Sequence, residues 1–212
     1  MGIVAEDHAL KELRKLRLVE PADDAGETDG RRRRSQDSRA RIVGAMLDLV
    51  REGEVSPGAE TVAARAEVGL RTVFRHFKDM DSLYGEMSKF IIAEVLEIVH
   101  QPLQGATWQD RLAELVVRRS QAFEKIAPYK RASNVSRHRS RFLQAGHARL
   151  VAGLREILIA ALPPEVVADR VKLEALDMVM SYEAWSRLRE EQGLTIRRAR
   201  DVLLAAVARL TV

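Results

Sequence analysis

The stretch Glu60-Thr-Val-Ala-Ala-Arg-Ala-Glu-Val-Gly-Leu-Arg-Thr-Val-Phe-Arg-His-Phe-Lys78 limits the possible folds more than any other part of the chain. It reads as two short helices joined by a tight turn. Val62 and Ala66 give the first helix a packing edge, and the small Ala63 and Ala64 allow close approach. In the second helix, Val73 and Phe77 lie four residues apart and point back toward a core. Arg71, Thr72, Arg75 and Lys78 then point outward, with His76 at the margin. A short helix that offers cations and a hydroxyl, braced by a second, suits the major groove of DNA.

Helical spacing continues on both sides. Ile42, Ala45, Met46 and Leu49 predict a helix from about Gln36 to Glu52, with Gly53 as its stop. Ser56-Pro57 predicts the start of the next, which runs to about Arg65. The outward helix spans about Gly69 to Phe77. Asp79 or Asp81 can cap a fourth, carried by Leu83, Met87, Phe90, Ile91 and Val95 to about His100. Pro102 and Gly105 end it. From Trp108 the chain reads as a second helical unit. Its helices are expected over about 108–126, stopping before Pro128, and over 137–162, ended by Pro163-Pro164. A third is expected over 165–191, stopping at Gly193, and a last one from Thr195, as cap, to about Leu210. A short helix or turn fills 129–136. The fold class is therefore all-α. The expected units are an N-terminal extension with a basic arm (1–35), a helix-turn-helix DNA-binding domain (36–100) and a C-terminal helical domain (106–212).

Charge agrees with this division. The net charge of +4 is too small to argue from, but its distribution is uneven. Residues 1–30 carry 4 basic and 8 acidic side chains, whereas residues 31–78 carry 11 basic and 6 acidic ones. Positive charge thus gathers where a polyanion would be met. Residues 9–19 form a weak amphipathic pattern through Leu10, Leu13 and Leu16, and 21–30 read as an acidic linker. Arg31, Arg32, Arg33 and Arg34 follow. Four adjacent like charges repel and stay extended unless an anion neutralises them, so this run reads as a phosphate-binding or minor-groove arm.

The last helices speak to assembly. As one helix, residues 165–191 would carry Val167, Val171, Ala175, Met178, Tyr182 and Trp185 on one stripe. Leu173, Leu176, Met180, Ala184 and Leu188 would form a second, nearly opposite. A helix apolar on two sides must be covered on two sides. Ile196, Ala199, Leu203, Ala206 and Leu210 add a stripe to the final helix. Two such pairs predict the four-helix seam of a homodimer; the alternative is that both stripes are internal.

The region Arg39 to Met87 resembles the tetracycline-repressor (TetR) family of bacterial transcription regulators. The family pattern Ala-Gly-Val-Ser-x-Gly-Thr-Leu-Tyr-x-His-Phe stands here as Ala66, Glu67, Val68, Gly69, Leu70, Arg71, Thr72, Val73, Phe74, Arg75, His76 and Phe77. The resemblance implies a ligand-responsive repressor that binds a palindromic operator in double-stranded DNA as a homodimer. DNA would be met by Leu70, Arg71, Thr72, Phe74, Arg75, His76 and Lys78. Phe74 replaces a tyrosine that offers its hydroxyl to phosphate, and so keeps only a packing role. Met80 stands where a lysine is usual. Arg71 replaces a small residue, and either hydrogen-bonds a guanine or grips a phosphate. Lys78, Arg41 and the arm arginines make up backbone affinity. The C-terminal helices would bind a small-molecule effector, largely apolar, with Trp108, Phe123, Tyr129, Asn134, His138 and His147 as candidate contacts. The basic cluster Lys130, Arg131, Arg137, Arg139 and Arg141 would favour an anionic ligand, although a solvated helix face is the plainer reading.

Other function classes find little support. There are no cysteines, which excludes disulfides and thiolate metal sites and makes a reducing cytoplasm the expected location. No segment reaches the roughly 18 apolar residues that a membrane span needs, so no membrane partner is expected. Residues 1–20 lack the apolar run of a secretory signal. No two of His8, His76, His100, His138 and His147 have the spacing of a zinc helix, and there is no phosphate-cradling glycine loop or nucleophile elbow. Neither an enzyme nor a cofactor or metal is expected. The rival reading is a helical structural or protein-interaction module without specific DNA binding.

Overall fold

The computed structural model describes residues 26–211. The leucine pattern of residues 9–19 lies outside them. The described chain is helical throughout: α1 (Gly26–Arg51), α2 (Ala59–Arg65), α3 (Leu70–His76), α4 (Met80–Val99), α5 (Trp108–Ser136), α6 (Arg141–Ala161), α7 (Pro164–Ala168), α8 (Arg170–Val179), α9 (Tyr182–Ser186) and α10 (Ile196–Leu210).

Helix α1 begins about ten residues before the expected start at Gln36. The arginine run therefore lies on a helix and is not an extended arm. Between Arg31 and Arg51 there is no proline and only one glycine, Gly44, so nothing in the sequence stops a helix once it has begun. The Ser38 hydroxyl donates to the Arg34 carbonyl at 2.9 Å within this stretch. Helix α2 begins at Ala59, two residues beyond the expected Ser56-Pro57 start, with Gly58 at its N-cap.

The turn between α2 and α3 is tight. The amides of Ala66, Glu67 and Val68 donate to the carbonyls of Val62, Ala64 and Ala63 at 2.9, 3.2 and 3.0 Å. Closing it puts Glu67 at φ 53°, in the left-handed region that L-residues avoid. Asp79, not Asp81, caps α4. Its carboxylate accepts from the Ser82 amide at 2.8 Å, and the Ser82 hydroxyl accepts from the Asp79 amide at 3.4 Å. Ile42, Met46, Val62, Val73, Phe77 and Leu83 fill the core of this head.

Helix α4 leaves the head and packs against α5 and α6, while α10 lies on α5 and α8. The crossing of α4 and α6 is close because Gly85 has no side chain. A Cβ there would meet the Phe142 Cβ at 3.0 Å. Helix α5 does not stop before Pro128 but runs through it to Ser136. Proline deprives the Glu124 carbonyl of a backbone donor. Burial of Ile126, Tyr129 and Ala132 on either side outweighs that loss and keeps the chain helical. The expected long helix from Arg137 starts instead at Arg141. A 3-10 turn covers Arg137–Arg139, and Ser140 caps α6 by accepting from the Leu143 amide at 3.0 Å.

The expected helix over 165–191 is three pieces. Asp169 and Ser181 are internal caps, accepting from the Lys172 and Ala184 amides at 3.0 and 3.1 Å. A wide π turn over Arg187–Glu191 follows α9. These breaks change the register of the two apolar stripes. Leu173, Leu176 and Met180 are buried before the second break, and Tyr182, Trp185 and Leu188 after it. Much of the two-sided pattern is thus used within one chain. Val171 and Met178 remain 82% and 66% exposed. Thr195 caps α10 as expected, and Ala199, Leu203 and Val207 are its buried positions.

Candidate functional site

Helix α3 is seven residues long and holds to the core through Val73 and, just past its end, Phe77. The rest of its surface points away. Leu70, Arg71, Phe74, Arg75 and Lys78 are exposed, and Thr72 is half-buried. Phe74 departs from its expected packing role: it is 47% exposed and stands among the cations. An exposed ring there is an apolar contact of the kind that meets a thymine methyl. His76 also departs from expectation. Its Nε2 is buried without a partner, so that nitrogen is not offered outward. Burial first, then the nearby Arg75 and Arg39 cations, hold its pKa below the usual value. Both effects favour the neutral form of the ring.

What fixes α3 in place is Arg39, a residue the sequence reading does not single out. Its guanidinium sits 4.4 Å over the Phe77 ring. Nη1 donates to the His76 carbonyl at 3.1 Å, and Nη2 lies 3.3 Å from Glu86 Oε2. One side chain from α1 thus reaches the end of α3 and the side of α4. Along α1, Arg33, Arg34 and Arg41 are exposed, and Arg34 and Arg41 lie two turns apart on one face.

The C-terminal helices enclose a cleft of about 200 Å³ between α5, α6 and the segment from α8 into α9. Arg119, Lys130, His147, Leu150, Leu154, Met178 and Tyr182 line it. A second cavity of about 40 Å³ adjoins it under Met87, Ile91 and Ile92 of α4, sharing Lys130, His147 and Leu150. Of the six predicted effector contacts, His147 lines both spaces and Tyr129 the smaller one. Phe123 is buried one layer behind, its ring meeting the Tyr182 ring edge-on at 5.6 Å. Trp108, Asn134 and His138 line neither.

The basic cluster is not one patch. Lys130 is buried in the cleft, Arg131 pairs with Glu190 at 2.9 Å, and the turn over Arg137–Arg139 diverts the others. The Lys130 ammonium donates to His147 Nδ1 at 3.1 Å and lies 4.8 Å from the centre of the Tyr182 ring. It is 3.6 Å from Glu183 Oε1. Burial pulls Lys130 below the usual lysine range, against the pull of Glu183. Burial likewise lowers His147, helped by Lys130, and pushes the Tyr182 hydroxyl up to about 12.

Arg119 is the other group that sequence reading missed. It is 2% exposed, and burial lowers its pKa to about 10. Nη1 donates to the Met180 carbonyl at 2.9 Å, Nη2 donates to the Leu154 carbonyl, and Nε has no partner. A signal was present in the sequence. Leu112, Leu115, Val116, Ala122 and Ile126 trace the buried face of α5, and Arg119 interrupts it at helical spacing. Among the described residues, no group of three or more His, Asp or Glu is placed to hold a metal ion. No described helix is long and apolar enough to cross a membrane.

No protein-family model matches the chain, and no curated protein matches its sequence. Solved structures do match its fold. A transcriptional regulator from Rhodococcus sp. Rha1 superposes with a TM-score of 0.63 at 17% identity, covering 82% of this chain and 95% of its own. The multidrug binding protein EbrR, solved with ethidium, gives 0.61 at 20% identity over 80% and 97% of the two chains. A TetR family transcription regulator from Marinobacter aquaeolei gives 0.56 at 16% identity over 82% and 97%. The chain has the all-helical fold of these regulators.

Proposed function

We propose that this protein is a cytoplasmic, non-catalytic transcription regulator of the TetR type. In this reading it is a repressor that binds an inverted repeat as a homodimer and releases DNA when a small molecule occupies the C-terminal cleft. The observation that carries the proposal is the outward face of α3. Arg71, Phe74, Arg75 and Lys78 share an exposed surface on a helix that two buried side chains and the Arg39 clasp hold still. A fixed helix with exposed cations and an apolar ring has the parts that direct readout of base edges requires. Arg33, Arg34 and Arg41 on α1 add cations that can engage phosphates without reading sequence. The basic run Arg31–Arg34 extends a helix here, so its contribution is a charged helical extension.

Dimerisation is supported by what folding leaves uncovered. Val171 and Met178 on α8 are largely exposed, and Ile196 and Val202 on α10 are each 40% exposed. A second copy of this chain would cover them, joining α8 and α10 of each copy. Sedimentation at micromolar concentration should then give twice the 23.8 kDa chain mass. A stable monomer that still binds DNA tightly would remove the seam.

The decisive experiment is selection of bound duplexes from a random DNA pool, followed by titration of the recovered sequence. The proposal requires a recovered motif with two-fold symmetry. Arg71→Ala should then cost about 1–3 kcal/mol and relax preference at one position of each half-site. Recovery of no motif, with only salt-sensitive binding to every duplex, would favour a helical interaction module instead.

A further inference from the structure

We infer that the cleft between α5, α6 and α8 takes a small organic anion, an aryl or short acyl carboxylate whose charged end meets Lys130 and Arg119. This rests on the reading above that the C-terminal domain binds an effector, and it supplies the effector's chemical class.

The argument starts from the placing of charge. Lys130 and Arg119 are 7% and 2% exposed. A buried cation is costly unless a carboxylate or a full set of acceptors meets it. Arg119 has neither. Among the described residues it forms no ion pair, it bonds only to two backbone carbonyls, and its Nε is an unused buried donor. The acids around the cleft are committed elsewhere or lie at its edge. Arg155 holds Glu174 at 2.6 Å and Asp177 at 2.7 Å. Glu183 faces Lys130 from 3.6 Å, and its side chain is 61% exposed. The two buried cations are therefore at the floor, Glu174 and Glu183 are exposed at the mouth, and Asp177 between them is held by Arg155.

Such an arrangement favours a ligand carboxylate on Lys130, displacing the exposed Glu183 to solvent. The displaced acid regains its hydration, and the buried ammonium gains a closer partner. The rest of the lining is apolar. Leu150, Leu154, Met178 and the Tyr182 ring would hold a hydrocarbon or aromatic body. A volume of about 200 Å³ lies below the roughly 300–1,000 Å³ of drug-sized sites, which limits that body to one ring or a short chain.

The test uses the full-length protein and a panel of benzoate, phenylacetate, 3-phenylpropionate and octanoate, each beside its neutral amide and its amine. Calorimetric titration should show at least one carboxylate binding, with its amide weaker by about tenfold or more and its amine weaker still. Lys130→Met should erase the difference between acid and amide, while Lys130→Arg should retain it. Arg119→Met serves as a second variant, provided that circular dichroism shows it folded. The inference is overturned if no carboxylate binds, if amides or amines bind as tightly, or if Lys130→Met leaves the preference unchanged. DNA affinity is measured separately with each compound. A carboxylate that binds without changing it removes ligand control from the proposed function but leaves the chemistry of the cleft standing.

Discussion

Replacing Arg39 with alanine tests whether one side chain holds α3 in place. The contributions can be set out one by one. The guanidinium over Phe77 is worth about 0.5–1 kcal/mol at a partly exposed site. The hydrogen bond to the His76 carbonyl is charge-assisted, and such bonds reach roughly 1.5–3 kcal/mol. The Arg39 side chain is 41% exposed, so about 1 kcal/mol is the fitting figure here. The Glu86 pair adds about 0.5 kcal/mol, since Lys89 still pairs with Glu86 at 3.1 Å after the change. The total is about 2 kcal/mol. For a chain of this size that lowers the thermal midpoint by roughly 4–8 °C. DNA affinity should fall as well, because the end of α3 loses its anchor. The dependence of affinity on salt should not change, since Arg39 spends its donors inside the protein and releases no counterion from DNA. Arg39→Lys keeps the charge but not the planar fork, and should fall between the two. Thermal unfolding by circular dichroism and DNA titration at several salt concentrations give both readouts. An unchanged midpoint would refute the clasp. A salt slope lowered by about one unit would make Arg39 a phosphate contact instead.

Three further outcomes follow from local geometry. Glu67→Gly should stabilise the protein by about 0.5–1 kcal/mol, because the left-handed turn costs a non-glycine residue about 1–2 kcal/mol and glycine gives part of that back in chain entropy; urea midpoints at equal slope would measure it. Gly85→Ala should destabilise by about 1–3 kcal/mol through its 3.0 Å approach to Phe142, whereas Gly44→Ala, with open space around its Cβ, should gain about 0.5–1 kcal/mol. Equal effects in the same urea assay would mean that the α4–α6 crossing is loose. His76 and His147 both have folded pKa values below the usual 6.5. The unfolded chain therefore binds protons first, so their contribution is complete above about pH 6.5 and is lost as pH falls toward the folded values. Urea midpoints taken across this range should drop toward acid, and His147→Gln should flatten the drop.

The parts of the fold legible in the sequence are those set by local chemistry. The Asp79 and Thr195 caps, the inward Val73 and Phe77, and the stops at Gly53 and Gly193 need only near neighbours in the chain. Pro128 misled because its local effect is real, yet the apolar face of α5 continues past it and tertiary burial decides. The two stripes over 165–191 misled for a related reason. They read as the two faces of one helix, but Asp169 and Ser181 cap new helices and turn Leu173, Leu176, Met180, Tyr182, Trp185 and Leu188 toward one core, leaving Val171 and Met178 exposed. Arg39 and Arg119 were illegible as site residues for opposite reasons. Arg39 looks like any arginine on a polar face, because its partners lie 37 and 47 positions away. Arg119 stands on an apolar face, and only the assembled helices reveal that its partners are the carbonyls of Met180 and Leu154.

Helix α4 turns small displacements into larger ones by angle. Its 20 residues make a rod about 30 Å long. Ile92, on the wall of the smaller cavity, lies about 18 Å along the axis from the capped end at Met80. If the rod pivots at that wall by roughly 10°, its capped end travels about 3 Å, which is close to the axial rise of one base pair in DNA. Arg39 touches Phe77, the His76 carbonyl and Glu86, and so couples α1, α3 and α4, which would let α3 share that travel. In the regulator proposed above, a small tilt of α4 at the smaller cavity would therefore shift α3 by about one base step.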